Sequence, residues 1–237
     1  MQDLVKLAAP LWAGEAEIVR TYFDGRRTRD TDLRWLSAQA FKETRHLRVL
    51  PQSVQDEYWA TGAVRTHPHG PAAGAKLTEE MKHFRLITGL IECLTGRPVV
   101  LAELLELPEE TTLQDMREPY RAGTELERTV VDFTEGGGGA MYWVLARLDG
   151  GDFERRAAQA FQIIYDEEVL HGPGQIHAIA RLATGAADWG RAEDIVVRVG
   201  RQRLHMRNEM FSWPLPTERL EAIGAGSIEP WPMPVAL

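Results

Sequence analysis

One cysteine, Cys93, is all the thiol chemistry this chain has. A single thiol closes no internal disulfide and builds no thiolate cage, which excludes a disulfide-stapled scaffold and an iron–sulfur cluster and makes a reducing cytoplasm the expected setting. Positive charge is in deficit: 27 Lys and Arg stand against 35 Asp and Glu, for a net charge of −8. That balance repels a phosphate backbone or an anionic bilayer surface, so neither nucleic acid nor a membrane is an expected partner. Long hydrophobic runs are missing too. The apolar stretch from Leu7 to Ala13 contains Pro10, follows Asp3 and meets Glu15 and Glu17 at once, so it does not read as a signal peptide and is too short to span a bilayer. Period-two alternation of β-branched residues and low-complexity tracts are likewise absent, which leaves strands without a sequence signal.

What is present is helical periodicity. Apolar residues at three- and four-residue spacing predict helices over about 3–23, 31–49, 78–94, 120–148, 152–182 and 189–211. The breaks fall where turn chemistry demands them: Asp24-Gly25, the Pro- and Gly-bearing loop from Gly62 to Gly74, and Gly150-Gly151. With 237 residues and 44% hydrophobic content, one all-α domain over 1–213 is expected. Residues 214–237 hold five of the thirteen prolines and are expected to lie as an extended tail packed on that bundle.

One motif recurs. Glu-x-x-His occurs as Glu43-Thr-Arg-His46 and as Glu168-Val-Leu-His171, and on a helix residues three apart offer a carboxylate and an imidazole to a common point. Single carboxylates that belong with them should sit on apolar faces, whereas surface Glu should not. Glu15 shares its face with Leu11, Trp12, Ile18, Val19 and Tyr22, but Glu17 shares its own with Ala13, Gly14, Arg20 and Thr21. Glu43 lies with Leu36, Ala40, Leu47 and Leu50, Gln39 being its one polar neighbour, and Glu168 lies with Phe161, Ile164 and Tyr165. Buried ionised carboxylates need a counter-charge, and a metal ion is the simplest one. Glu135 is preferred to Glu127 for the remaining position, because Glu127 stands too near a helix start. Four glycines follow Glu135 and would cost a helix about 4 kcal/mol against alanines. Either the chain loops there and the helix ends at Thr134, or the missing side chains leave space beside a metal; the second reading is preferred.

The pattern resembles the ferritin-like di-iron carboxylate superfamily, and within it small oxidases and oxygenases such as the aldehyde-deformylating oxygenases and the ribonucleotide reductase small subunit. Gly14-Glu15-Ala16-Glu17 followed by Glu43-Thr-Arg-His46 looks like the first two bundle helices of a deformylating oxygenase, and Asp166-Glu167-Glu168-Val-Leu-His171 like its last. The likeness covers the four core helices, about half the chain, and omits the segment between Pro51 and Glu118. It implies a ferritin-like four-helix bundle with additional helices, holding two iron ions, or manganese, through Glu15, Glu43, His46, Glu135, Glu168 and His171. It also implies an oxidoreductase that activates dioxygen to oxidise a small organic substrate, with ferredoxin or a reductase as electron donor and a homodimer as the assembly. A ferroxidase or other iron-handling protein is the alternative, and a metal-free helical scaffold the third.

Rivals lie within the sequence. Glu80-Met-Lys-His83 is a third Glu-x-x-His, and a bundle can be drawn from Glu43, Glu80, His83, Glu127, Glu168 and His171. Against it, Thr78 reads as an N-cap that confines Glu80 and His83 to a first helical turn. His67 and His69 form a His-x-His that reads as polar loop. Arg198, Arg201, Arg203 and Arg207 read as a solvated basic face. Gly172-Pro173-Gly174 should interrupt its helix, since Pro173 lacks an amide hydrogen. Tyr22, Tyr142 and Tyr165 lie near proposed ligands, where redox chemistry competes with plain core packing.

Overall fold

Leu4, Ala8, Leu11, Trp12, Ile18, Val19 and Tyr22 recur at helical spacing and are all buried, the stripe that winds Gln2–Asp24 into helix α1. In the computed structural model every regular element among the described residues is a helix. Residues 2–227 are described except positions 49, 66, 68, 69 and 170; the side chains of Gln2, His46, Leu47, Arg48 and Ala72 also fall outside the description. No helix among the described residues is long and apolar enough to cross a membrane.

After α1 come α2 (Arg29–Arg48), α3 (Gln52–Thr61) and α4 (Pro71–Thr95). Gly62 and Gly96 close α3 and α4 at φ of 74° and 73°, the left-handed conformation that glycine adopts without steric cost. Next are α5 (Pro108–Arg121), α6 (Glu125–Phe133), α7 (Gly136–Leu145), α8 (Asp152–Glu168), α9 (Ile176–Leu182), α10 (Ala186–Met210) and α11 (Thr217–Gly224). Short 3-10 turns occupy Leu101–Glu103 and Pro173–Gln175.

Helices α3 and α5 lie outside the expected ones and the helix expected over 152–182 stops at Glu168; further differences have a local reason. Helix α4 begins at Pro71 and not at Thr78. Proline suits the first helical position, where its missing N–H is not needed. Thr78 instead sits mid-helix, its hydroxyl donating to the Gly74 carbonyl at 2.9 Å and accepting from the Val64 amide at 2.9 Å. The expected helix over 120–148 is broken twice. Thr124 and Glu127 form a reciprocal capping box that starts α6 afresh, and at Thr134–Glu135 the chain turns into α7, so the glycine run is itself helical. Residues Thr217–Gly224 form a helix where an extended tail was expected; positions 228–237 lie outside the described residues.

The chain divides into two compact units, Thr28–Glu106 and a discontinuous one made of Met1–Arg27 with Leu107–Leu237. In the first, α2 packs along α4, while α3 is tied to α4 by the Tyr58 hydroxyl donating to the Met81 carbonyl at 2.9 Å and by Trp59 edge-on to Phe84. In the second, α1 lies between α10 and α7, with α5 and α6 on α10 and α8 on α7.

The approach of α1 to α7 depends on missing side chains. A Cβ on Gly136 would stand 2.6 Å from the Trp12 ring, and one on Gly137 only 1.8 Å from the Glu15 carboxylate. The space beside the glycine run is therefore filled by Trp12 and Glu15. Gly137→Ala should destabilise by about 1–3 kcal/mol through overpacking, although alanine is the better helix former. Gly190→Ala, in α10 where a Cβ meets nothing within 4 Å, should stabilise by about 0.5–1 kcal/mol. Urea denaturation of both variants checks the pair; equal signs would refute the packing argument.

Candidate metal site

Helix α2 buries Leu36, Ala40 and Glu43 in one stripe, and α4 buries Leu77, Met81, Phe84, Ile87 and Ile91 with His83 beside them. Packing these stripes together brings Glu43 opposite Glu80 and His83. One ligand atom from each of Glu43, Glu80 and His83 lies within 4.8 Å of the other two, and His83 Nδ1 stands 4.0 Å from Glu43 Oε2. Two atoms each about 2.1 Å from a shared ion are at most about 4.2 Å apart, so small side-chain rotations close the triad on a cation. Glu43 and His83 are buried and Glu80 is half-buried. Because α4 starts at Pro71, Glu80 and His83 are mid-helix, which removes the objection that Thr78 had raised against them. Gln39, one turn before Glu43, donates Nε2–H to Glu43 Oε1 at 2.6 Å. Two carboxylates and one imidazole with coordination positions left over fit a single divalent transition ion. His46 belongs to the same helix, but its side chain lies outside the described residues.

The other predicted ligands belong to the second unit, where their partners are largely arginines. Glu15 is buried, as its apolar neighbours predict, yet both of its oxygens are taken by guanidinium groups. Arg203 Nε donates to Oε1 at 2.6 Å and Nη2 to Oε2 at 3.1 Å, while Arg207 Nε donates to Oε2 at 3.0 Å. Burial alone would raise the Glu15 pKa, but Arg203 and Arg207 override it and hold the carboxyl below its ordinary value. Glu15 thus has its counter-charge in protein. Arg203 and Arg207 are 4% and 1% exposed, which corrects the reading of those two as part of a solvated face; Arg198, 3.9 Å from Asp194, and Arg201, which donates to the Gly224 carbonyl, are exposed as expected.

Glu135 stands at the position before α7 without a side-chain cap, its carboxylate 3.8 Å from Arg117 Nη1. Burial, with the nearby charges of Arg203 and Arg121, pushes the Arg117 guanidinium down to about 10 against the partial relief of Glu135. Glu168 and His171 do meet, Oε2 to Nδ1 at 2.8 Å. Glu127 is occupied by its capping box and by Arg191, whose Nε and Nη2 donate to it at 2.9 and 2.7 Å. Glu17, read as outward, pairs with Arg219 at 2.8 Å. Tyr22 packs edge-on to Phe211, Tyr142 stacks on Phe161, and Tyr165 lies under the Arg147 guanidinium. His67 precedes α4, and His69 is outside the described residues.

No family model, curated protein or solved structure matches this chain. Sequence reasoning overlooked the arginines and the Gln39 clamp, although both carried a signal. The face test applied to acids would, applied to cations, have placed Arg203 and Arg207 among Val199, Leu204, Met206 and Met210, and Gln39 was the single polar neighbour of Glu43.

Proposed function

We propose that the chain is a ferritin-like carboxylate and histidine metalloprotein that binds iron, or manganese in its place, and uses it to activate dioxygen. The observation that carries this reading is the triad of Glu43, Glu80 and His83 on α2 and α4, whose donor atoms lie within 4.8 Å of one another. Two carboxylates to one imidazole favour a hard, redox-active ion over structural zinc. Iron bound by Glu43, Glu80 and His83 would contribute the electrons for reducing dioxygen. The chain's own part is to present Glu80 and His83 from one helical turn, to aim Glu43 at them from α2, and to keep Glu43 and His83 out of bulk water.

As an oxygenase the protein would take a small organic substrate and electrons from a ferredoxin or reductase. A ferroxidase is the second reading, and one observation favours it: the space expected for an organic substrate beside the glycine run is occupied by Trp12 and Glu15. Anaerobic loading with ferrous iron, desalting, and iron and dioxygen-uptake assays test both. Wild type should retain about one to two equivalents of iron per chain, and Glu80→Ala should lose about one of them. Oxygen uptake that needs an added reductant and substrate identifies the oxygenase, and uptake with ferrous iron alone the ferroxidase. A wild-type chain that keeps no iron, or a Glu80→Ala chain that keeps as much as wild type, would overturn the assignment.

A further inference from the structure

We propose that Gln39 is a positioning residue that sets how Glu43 meets the metal, tying one carboxylate oxygen so that Glu43 serves as a one-oxygen ligand. The inference rests on the metal reading above and deepens it. Gln39 and Glu43 are one helical turn apart on α2 and are 2% and 5% exposed, the spacing at which side chains on a helix meet. The 2.6 Å contact runs from Gln39 Nε2 to Glu43 Oε1. An ionised carboxylate only accepts, so the amide must donate here, and donation to a charged acceptor makes the bond short and strong. The other oxygen, Oε2, is the one 4.0 Å from His83 Nδ1. Oε1 is thereby held on the Gln39 side and Oε2 on the side of the imidazole.

The consequence is a choice of ion class. A carboxylate that chelates through both oxygens raises the coordination number and suits calcium, which takes six to eight oxygens at long distances. A carboxylate restricted to one oxygen, beside an imidazole, suits a smaller transition ion. Gln39 therefore selects against calcium without touching the ion. A glutamine that merely satisfied a buried carboxylate would influence stability and leave the coordination alone.

Cobalt(II) titration, followed by its visible d–d absorption, separates the two roles. Gln39→Met keeps length and removes the donor; it should weaken cobalt binding about ten- to a hundredfold. Its absorption should also weaken per ion as coordination rises, and the preference for cobalt over calcium should narrow. In a Glu43→Gln background the same Gln39→Met change should alter affinity less than about twofold, because the group it acts through is gone. Wild-type affinity and spectrum in Gln39→Met, or an equal loss in the Glu43→Gln background, would overturn the proposal. Should circular dichroism show that Gln39→Met does not fold, Gln39→Asn carries the same test: it keeps a buried amide but withdraws it by one methylene, and unchanged affinity there would be equally fatal. A wild-type chain that binds no cobalt, iron or manganese defeats the metal reading itself, a different failure from a wild type that binds and a Gln39 variant that binds as well.

Discussion

His83→Ala is expected to weaken iron or cobalt binding at the α2–α4 site by more than about a hundredfold, beyond the loss typical of residues that only support a ligand. It removes the one imidazole of the triad, whose ring stands 4.0 Å from Glu43 Oε2. His46→Ala should leave that ion bound. Thermal stability provides an independent readout. An ion present at one hundred times its dissociation constant stabilises the folded chain by about 2.7 kcal/mol, so metal should raise the melting temperature of wild type and of His46→Ala but not of His83→Ala. The opposite pattern, with binding lost in His46→Ala and kept in His83→Ala, would return the metal to the Glu43 and His46 pair.

Glu15→Ala should be the most destabilising single change, at about 3–5 kcal/mol, because it strands the buried Arg203 and Arg207 guanidiniums without their counter-charge. At about 2–4 °C per kcal/mol for a chain of this size, the melting temperature should fall by about 6–20 °C. The pH dependence has a definite sign. The folded carboxyl is held below its ordinary 4.5, so as pH falls the unfolded chain takes up the proton first. The stabilisation due to Glu15 is complete above about pH 4.5 and is lost progressively below it, down through the folded pKa. Urea melts from pH 3 to 6 should show this slope in wild type and a flatter one in Glu15→Gln. Replacing Glu15, Arg203 and Arg207 together with Leu, Met and Met should recover most of the loss, since buried ion networks often exchange for apolar packing at little cost. Metal affinity of the folded Glu15→Gln protein should match wild type; a parallel loss would mean that Glu15 serves an ion after all.

The helices were legible because their signal is local. Leu11, Trp12, Ile18, Val19 and Tyr22 around Glu15 announce both α1 and the inward direction of that carboxylate. What occupies the inside was not legible from acids alone. A buried carboxylate demands a counter-charge, and a metal ion and a pair of arginines meet that demand equally well. The choice depends on α10 reaching α1 from far along the chain. The Glu80 and His83 pair was set aside on one boundary that differs: Thr78 has the side chain of an N-cap, but Pro71 fixes the helix start and leaves Thr78 to bond back to Gly74. The glycine run was likewise underdetermined, since both a loop and a cavity explain missing side chains, while the answer is close helix packing by Trp12 and Glu15.

The discontinuity of the larger unit sets an order of events during synthesis. Residues 28–106 are contiguous and have their packing partners as soon as they emerge, while α1 has been made but lacks the helices it packs on. Glu15 must wait for Arg203, 188 residues later, an interval of about 10 to 40 s at 5–20 residues per second. Until then the face of α1 that meets α10 stays uncovered and Glu15 lacks its arginine partners, although α7, which packs on its other side, has already been made. Slowing translation beyond α9 should therefore lower the yield of intact chain, whereas the 28–106 unit should already resist proteolysis on stalled ribosomes.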